Sequence, residues 1–167
     1  WEWRSIGLIV HMAYEWAQRV GDMRLLTWNN LDLDEQRLDL EQSKRRADVH
    51  LPISDALCKM LVQQHKDFGF QAYVAPRPEP YNGAYTSYHS TDIHKLVNEV
   101  KDSAGLPKEL TALDLRRTGI TEMVEAGVDT LGIMQVSGHS NPQSVKPYLV
   151  NTLKGASTAL NKRNNDK

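Results

Sequence analysis

One stretch of the chain alternates apolar and polar residues on both sides of a polar tetrad and reads Leu31-Asp32-Leu33-Asp34-Glu35-Gln36-Arg37-Leu38-Asp39-Leu40-Glu41. A period of two is typical of a strand with one buried face, and the tetrad predicts the turn of a β-hairpin. Val49-His50-Leu51-Pro52-Ile53 predicts a third strand. The turn between the second and third strands would then hold Lys44, Arg45 and Arg46.

Helical periodicity dominates the rest of the chain. Residues 5–18 place their apolar side chains on one face of a helix, and Asp22 is in position to cap a second, short helix. Further helices are predicted from a cap at Ser54 or Asp55 to about His65, and at 91–103, 112–126, 129–137 and 152–162, with a Gly-, Pro- and Tyr-rich loop over 69–90. The sequence therefore predicts a mainly helical α+β fold with a small three-stranded antiparallel sheet.

Length and composition predict a single globular domain. The chain has 167 residues, of which 40% are hydrophobic and 25% charged. It shows no secretory signal pattern and no apolar run near the roughly 20 residues that span a bilayer, so we expect no membrane partner. Cys58 is the only cysteine, which excludes an intrachain disulfide and favours a cytoplasmic setting. Because the chain begins with Trp1, we expect residues 1–167 to be the C-terminal, catalytic part of a longer protein, with 149–167 as its tail.

The charge distribution permits binding to a phosphate backbone on one side of the molecule. The net charge of −1 is weak evidence against a dedicated nucleic-acid binder. Positive side chains nevertheless cluster at 44–46, 116–117 and 162–163, while acidic residues concentrate in 32–41. A dipolar surface of this kind can dock nucleic acid on its basic side.

Three short motifs carry the candidate chemistry. They are Gln18-Arg19-Val20-Gly21-Asp22, Leu115-Arg116-Arg117-Thr118, and Gly138-His139-Ser140 followed by Tyr148 nine positions after the histidine. A tyrosine can attack phosphorus as a nucleophile. Arginine keeps its charge at any working pH, and its planar fork matches two phosphate oxygens. Two arginines, a histidine and a tyrosine could therefore cut a phosphodiester without a metal ion.

In this order, the motifs resemble the catalytic domain of the tyrosine recombinases, the phage integrase family, from about Ala13 to Tyr148. The resemblance implies DNA strand cleavage and rejoining through a 3′-phosphotyrosyl intermediate, in the integration or excision of a mobile element. It implies double-stranded DNA as partner, a homotetramer on DNA, and action in the cytoplasm of a bacterial or phage-host cell. No metal ion, ATP or other cofactor is expected.

The resemblance also implies roles for individual residues. Tyr148 would be the nucleophile, with Arg19 and Arg116 holding the phosphate. His139 would contact the phosphate and help the tyrosine lose its proton. Lys44 would protonate the leaving 5′ oxygen.

Four further residues receive supporting roles by the same resemblance. Asp22 lies where the family has an acidic residue that props the first arginine. Arg45, Arg46 and Arg117 would face the DNA backbone, although Arg117 could instead face an acidic partner. Arg45 or Arg46 could also take the place of the catalytic lysine.

One departure from the family pattern leaves two other functions open. Leu113 stands three residues before Arg116, where the family has histidine, and a helical rotation turns the neighbouring Asp114 away from that direction. With the acidic balance, this motivates a non-catalytic DNA-binding or assembly module with a decayed site. Relaxation of supercoils, as in type IB topoisomerases, is the other alternative, although the compact 116–148 segment favours the integrases.

Other chemistries have weaker support in the sequence. The acidic residues of the 31–41 hairpin alternate onto a solvent face, which favours a surface over a metal site. His89 and His94 have no matching ligand set. No Walker-type phosphate loop is present. Among the other tyrosines, Tyr14 is expected in the core.

Overall fold

The computed structural model describes residues 2–44, 46–149 and 153–165. Within them the fold is mainly helical, with one small sheet, as the sequence predicts. The helices and strands are α1 Glu2–Glu15, α2 Val20–Met23, β1 Leu31–Asp32, β2 Arg37–Glu41, β3 Asp48–Pro52, α3 Asp55–Phe68, α4 Ser90–Ser103, α5 Ala112–Glu125, α6 Thr130–Ser137 and α7 Leu153–Asn165. Short 3-10 turns lie at Trp28–Asn30, Pro142–Ser144 and Lys146–Tyr148.

The sheet has the order β1-β2-β3, and both pairings are antiparallel. Leu38 pairs with Leu51 and Leu40 with Val49, and all four side chains are buried. Because successive side chains of a strand alternate between faces, Asp39 and its partner His50 lie on the opposite, solvent side. The predicted hairpin and third strand are thus confirmed, with β3 beginning and ending one residue earlier than expected.

The end of the first helix differs from the prediction. α1 stops at Glu15 instead of residue 18, because Ala17 adopts a left-handed φ of 50°. Trp16 is buried there and donates from Nε1 to the Pro52 carbonyl of β3 over 3.0 Å. The prediction of Asp22 as a helix cap was also wrong: Arg19 is at the N-cap position of α2, and Asp22 lies buried inside this helix.

Two apolar clusters form the interior. The larger one joins α1, the sheet, α3 and α4, with Ile9, Leu38, Leu61 and Ile93 among its buried residues. The smaller one joins the end of α1 to α5, α6 and the segment beyond α6, through Ala17, Ile120, Ile133 and Val145. Tyr148 packs against this second cluster. The smaller cluster therefore fixes the relative positions of the elements that carry two of the three sequence motifs, that of Arg116 and that of His139 and Tyr148.

The later helices follow the predicted pattern. Ser54 caps α3, since its Oγ accepts from Leu57 N over 3.2 Å, and the helix continues to Phe68, three residues beyond the expected end. α4, α5 and α6 match their predicted ranges within one residue. The backbone of α7 lies against α5 of the same chain.

One expectation about the surface also has an outcome. Tyr14 is 40% exposed, so its assignment to the core was wrong. Its hydroxyl donates to the Glu122 carboxylate, and this hydrogen bond raises the pKa of Tyr14.

In the parts of the chain that the structure describes, no helix is long and apolar enough to cross a membrane.

Candidate active site

The five residues predicted to be catalytic come from five separate segments. Arg19 precedes α2, Lys44 lies in the β2–β3 turn, and Arg116 is in α5. His139 follows α6, and Tyr148 ends a 3-10 turn. Contacts connect four of these residues, all except Lys44, with one another or with the base of the turn that carries Lys44.

Arg116 is held on the buried side of α5. Its side chain is 3% exposed, and Nη2 donates to the Ser137 carbonyl over 2.6 Å. Guanidinium stays protonated even when buried. A fixed positive charge in surroundings of low polarity interacts more strongly with developing negative charge than the same charge does in water.

Gly138 ends α6 in a way that only glycine accommodates well. Its φ is +68°, and its N–H bonds back to the Met134 carbonyl over 2.8 Å. A Cβ at this position would lie 2.7 Å from the side-chain amide of Gln42. Both constraints place His139 directly beyond the helix end, where it is 6% exposed.

The hydrogen bonds of Ser137 assign the tautomer of His139. Ser137 Oγ donates its one proton to the Ile133 carbonyl over 2.6 Å, and it lies 2.6 Å from His139 Nδ1. The hydroxyl must therefore accept from Nδ1–H, which leaves Nε2 as the acceptor nitrogen of the neutral ring. In this tautomer, Nε2 is the nitrogen that can take up a proton.

Tyr148 lies beside this histidine. The two ring centroids are 6.1 Å apart with the planes tilted by 53°. The Tyr148 N–H bonds to the Val145 carbonyl over 2.9 Å, and the ring is partly buried against the smaller cluster. The 3-10 turn therefore holds the tyrosine at the surface, next to the imidazole.

Asp22 connects Arg19 with the β2–β3 turn. Its Oδ2 lies 3.6 Å from Arg19 Nη1, and its Oδ1 accepts from both N and Oγ of Ser43, over 3.0 and 2.5 Å. The Asp22 side chain is 1% exposed and that of Arg19 is 22% exposed. The carboxylate thus orients the arginine from the protein side, and the Arg19 side chain remains partly exposed.

Lys44 is exposed in the turn between β2 and β3. Two backbone hydrogen bonds of Gln42 close this turn. Gln42 N–H donates to the Ala47 carbonyl over 2.8 Å, and the Gln42 carbonyl accepts from Arg46 N–H over 2.9 Å. Arg46 is exposed as well and pairs with Glu41 over 3.3 Å. Arg45, predicted to face DNA, lies outside the described residues.

The start of α5 carries the departure from the family pattern. Leu113 is 56% exposed. Asp114 cannot replace the family histidine, because its carboxylate accepts from N and Oγ of Thr111 over 2.7 and 2.9 Å. Both bonds lower the pKa of Asp114, and the bond from the Thr111 backbone N–H has the larger effect. Arg117 is exposed and lies 3.8 Å from Asp114.

Three buried supporting residues received no role in the sequence analysis, namely Gln18, Gln42 and Ser137. Each directly precedes a motif residue or stands close to one. No pattern distinguishes a buried glutamine from the exposed glutamines that are more usual.

The acidic residues of the hairpin serve other contacts. Asp39 accepts from Arg37 and contacts His50 Nδ1 over 2.6 Å, and the His50 bond is the main cause of its lowered pKa. Among the residues with described positions, no group of three or more histidine, cysteine or acidic side chains is placed to hold a metal ion.

Comparisons with known proteins agree with this fold. The sequence model described as "Phage integrase family" matches residues 4–154. A tyrosine recombinase of Pseudothermotoga lettingae is 22% identical over 143 residues, which cover 85% of this chain and 48% of the relative. The chain therefore spans about half the length of this curated relative.

Solved structures show the same architecture at low sequence identity. The crystal structure of XerA recombinase matches with a TM-score of 0.75 and 19% identity, over 96% of this chain and 57% of that one. A lambda integrase dimer bound to a COC′ core site matches with a TM-score of 0.69 and 17% identity, over 87% of this chain and 52% of that one.

Proposed function

The chain belongs to the phage integrase family, and on this premise we propose that it cleaves and rejoins double-stranded DNA as the catalytic part of a site-specific tyrosine recombinase. The observation that carries the proposal is the position of Ser137. This one residue bonds Arg116 through its carbonyl and His139 through its hydroxyl, and His139 lies beside Tyr148. A phosphate held by the arginine would thus be near both the nucleophile and an acceptor for its proton.

Cleavage begins with attack of Tyr148 Oη on the scissile phosphorus. The tyrosine proton passes to Nε2 of His139, the acceptor nitrogen of the assigned tautomer. A phosphotyrosyl bond to the 3′ strand forms as the bond from phosphorus to the 5′ oxygen breaks, and Lys44 protonates that oxygen. Rejoining reverses these steps with a 5′ hydroxyl from a partner strand. The phosphotyrosyl bond conserves the energy of the phosphodiester, so no ATP is consumed.

Arg19 and Arg116 neutralise the non-bridging oxygens of the phosphate. Negative charge builds on these oxygens in the transition state, and positioned cationic donors stabilise it. Asp22 orients the first arginine. Arg45, Arg46 and Arg117 contribute contacts to the DNA backbone.

We extend the proposal to the assembly and the biological role. The lambda integrase neighbour is a dimer bound to a core site, and the Tn1549 transposon integrase was solved with a circular intermediate DNA. By analogy, this chain acts as a tetramer on DNA, with the tail of residues 149–167 contributing to the assembly. It integrates or excises a mobile element in the cytoplasm of a bacterial or phage-host cell.

A second candidate function is a DNA-binding module without catalysis. The exposed Leu113 favours it, since an apolar side chain stands where the family places a donor to the phosphate.

Covalent trapping distinguishes the two functions. The complete gene product that carries this chain is incubated with nicked duplexes tiled across the genomic sequence on both sides of its gene. We expect a band of protein joined to DNA on a denaturing gel, absent from Tyr148→Phe, although the variant still shifts the same duplex on a native gel. Equal shifts without a covalent band from either protein would establish the non-catalytic module instead.

A further inference from the structure

The β2–β3 turn is attached to the rest of the site by two side chains that precede Lys44. Gln42 is fully buried, and its Nε2 donates to Gln18 Oε1 over 2.5 Å and to the Ser137 carbonyl over 3.0 Å. Ser43 binds Asp22 through both its N–H and its hydroxyl. The turn is therefore anchored to α6 on one side and to α2 on the other.

Both anchors lead to residues of the phosphate site. The Ser137 carbonyl that accepts from Gln42 also accepts from Arg116. The carboxylate that accepts from Ser43 also pairs with Arg19. Each anchor of the turn thus shares one acceptor group with one of the two arginines.

Gln18 completes the connection. Its Nε2 donates to the Trp16 carbonyl over 2.8 Å and to the Val136 carbonyl over 2.7 Å. Together, the side-chain amides of Gln18 and Gln42 donate four N–H hydrogen bonds. These bonds connect the end of α1, the β2–β3 turn and the end of α6. Buried amides bonded in this way are costly to displace, so the network resists relative movement of these three segments.

We propose that Gln42 and Ser43 are positioning residues that hold the Lys44 turn in register with the two arginines. This inference rests on the proposed function, because it concerns the delivery of the proton by Lys44 to the leaving 5′ oxygen. Neither side chain touches the reacting atoms. Loss of either side chain slows protonation of the leaving 5′ oxygen more than it weakens binding of the phosphate.

A change of leaving group isolates this step. In a duplex with sulfur in place of the scissile 5′ oxygen, the phosphorus–sulfur bond breaks and sulfur departs as a thiolate. A thiol has a pKa near 8.5, so its departure needs no general acid. A variant that only misplaces Lys44 should be slow on the oxygen duplex and close to wild type on the sulfur duplex.

The test compares Gln42→Met and Ser43→Ala with Lys44→Ala in single-turnover cleavage by the complete gene product. Removing a general acid costs about 10²–10⁴-fold, and we expect about 10-fold or more for each positioning variant on the oxygen duplex. On the sulfur duplex all three should lie within a few-fold of wild type. An equal loss on both duplexes, or no loss on either, would overturn the inference.

Gln64→Met is the matched control. Gln64 is also buried and donates Nε2 to a carbonyl, that of Val74, over 2.9 Å, but it lies in α3 outside the site. It should show no difference between the two leaving groups. Ser43 is exposed, so Ser43→Ala tests the second anchor even where Gln42→Met fails to fold.

Hydrogen exchange provides a readout without DNA. The amides of Gln42 and Arg46 close the turn. We expect their exchange to rise by about 10-fold in Gln42→Met and to stay unchanged in Gln64→Met, because a released turn opens locally. Unchanged exchange in Gln42→Met contradicts the inference. A wild type that never forms a covalent adduct contradicts the proposed function instead, and the exchange result still decides whether Gln42 holds the turn.

Discussion

At the scale of single residues, burial separates two adjacent arginines that the sequence presents as a pair. Arg116 is 3% exposed and bonded to Ser137, whereas the Arg117 side chain is 59% exposed beside Asp114. Their positions on α5 follow from helical geometry, since a step of one residue turns the side chain to a different face. The two arginines should therefore fail in different ways when they are changed.

Arg116→Lys should lower single-turnover cleavage by about 10²-fold or more, because lysine keeps the charge and loses the fork that matches two phosphate oxygens. Arg117→Lys is the matched control and should cleave at the wild-type rate at saturating DNA. Rates from rapid-quench gels provide the comparison. Cleavage by Arg116→Lys within a few-fold of wild type would remove Arg116 from the site.

Ser137→Ala should make His139 a poorer base. The substitution removes the hydroxyl that accepts from Nδ1–H and leaves the backbone carbonyl that binds Arg116. The imidazole can then adopt the other tautomer, so cleavage should fall by about 10-fold, less than the 10²-fold or more of outright loss of a general base. The affinity for DNA should not change. An unchanged cleavage rate would show that the tautomer is not held by this serine.

At the scale of elements, regular patterns in the sequence predicted most of the fold. The alternation in 31–41 and 49–53 gave the sheet, and the helical periods gave α3 to α6 with small errors at their ends. The end of α1 was missed, because the left-handed Ala17 depends on the burial of Trp16 against β3. Long-range packing of this kind leaves no local pattern.

The candidate site, like the fold, could be predicted from the sequence only in part. Its motif residues could be identified from the sequence by resemblance, although their catalytic roles remain predictions. The supporting network could not be identified from the sequence. The side chains of Gln18 and Gln42 donate to the carbonyls of Val136 and Ser137, which lie more than ninety residues further along the chain. A backbone carbonyl has no signature in the sequence, so only the folded chain reveals such bonds.

The carboxylate at the start of α5 should stabilise the fold in a pH-dependent manner. Asp114→Asn weakens the bonds to Thr111, and loss of a helix cap typically costs about 1 kcal/mol. The pKa of Asp114 is lowered from its ordinary value of 3.8, so its stabilisation is fully present above that value and is lost as the pH falls through the lower, folded value.

Urea unfolding at several pH values tests this. The difference between wild type and Asp114→Asn should be largest near pH 7 and shrink below about pH 3.8, as the carboxyl becomes protonated. Asp102→Asn, an exposed position at the end of α4, is the control and should change little. A difference that does not vary with pH would show that the charge of Asp114 does not stabilise the helix.

At the scale of the whole molecule, the larger cluster supports the sheet and the smaller one supports the site. Arg116, His139 and Tyr148 all belong to elements that join the smaller cluster, whereas Lys44 lies in the turn that follows β2 of the sheet. The proposed general acid and the proposed nucleophile therefore belong to different parts of the fold. A contact at this boundary, from DNA or from another copy of the chain, is well placed to affect cleavage.

The complete gene product should form a tetramer on a duplex that it cleaves, and removal of residues 153–167 should reduce the assembly to fewer copies. The mass of the complexes on DNA, measured by light scattering, gives the number of copies. The truncated protein should still bind DNA, because the proposed contacts to the phosphate lie outside the tail. A tetramer that survives the truncation would contradict this role of the tail.

The most direct test of the central claim is the chemical identity of the covalent adduct. The complex trapped on a nicked duplex is digested with trypsin and nuclease, and the peptide that retains nucleotides is sequenced by mass spectrometry. We predict that the peptide carries the nucleotides on Tyr148, joined through the 3′ phosphate, with a free 5′ hydroxyl on the released strand. An adduct on another residue, or one joined through a 5′ phosphate, would contradict the account.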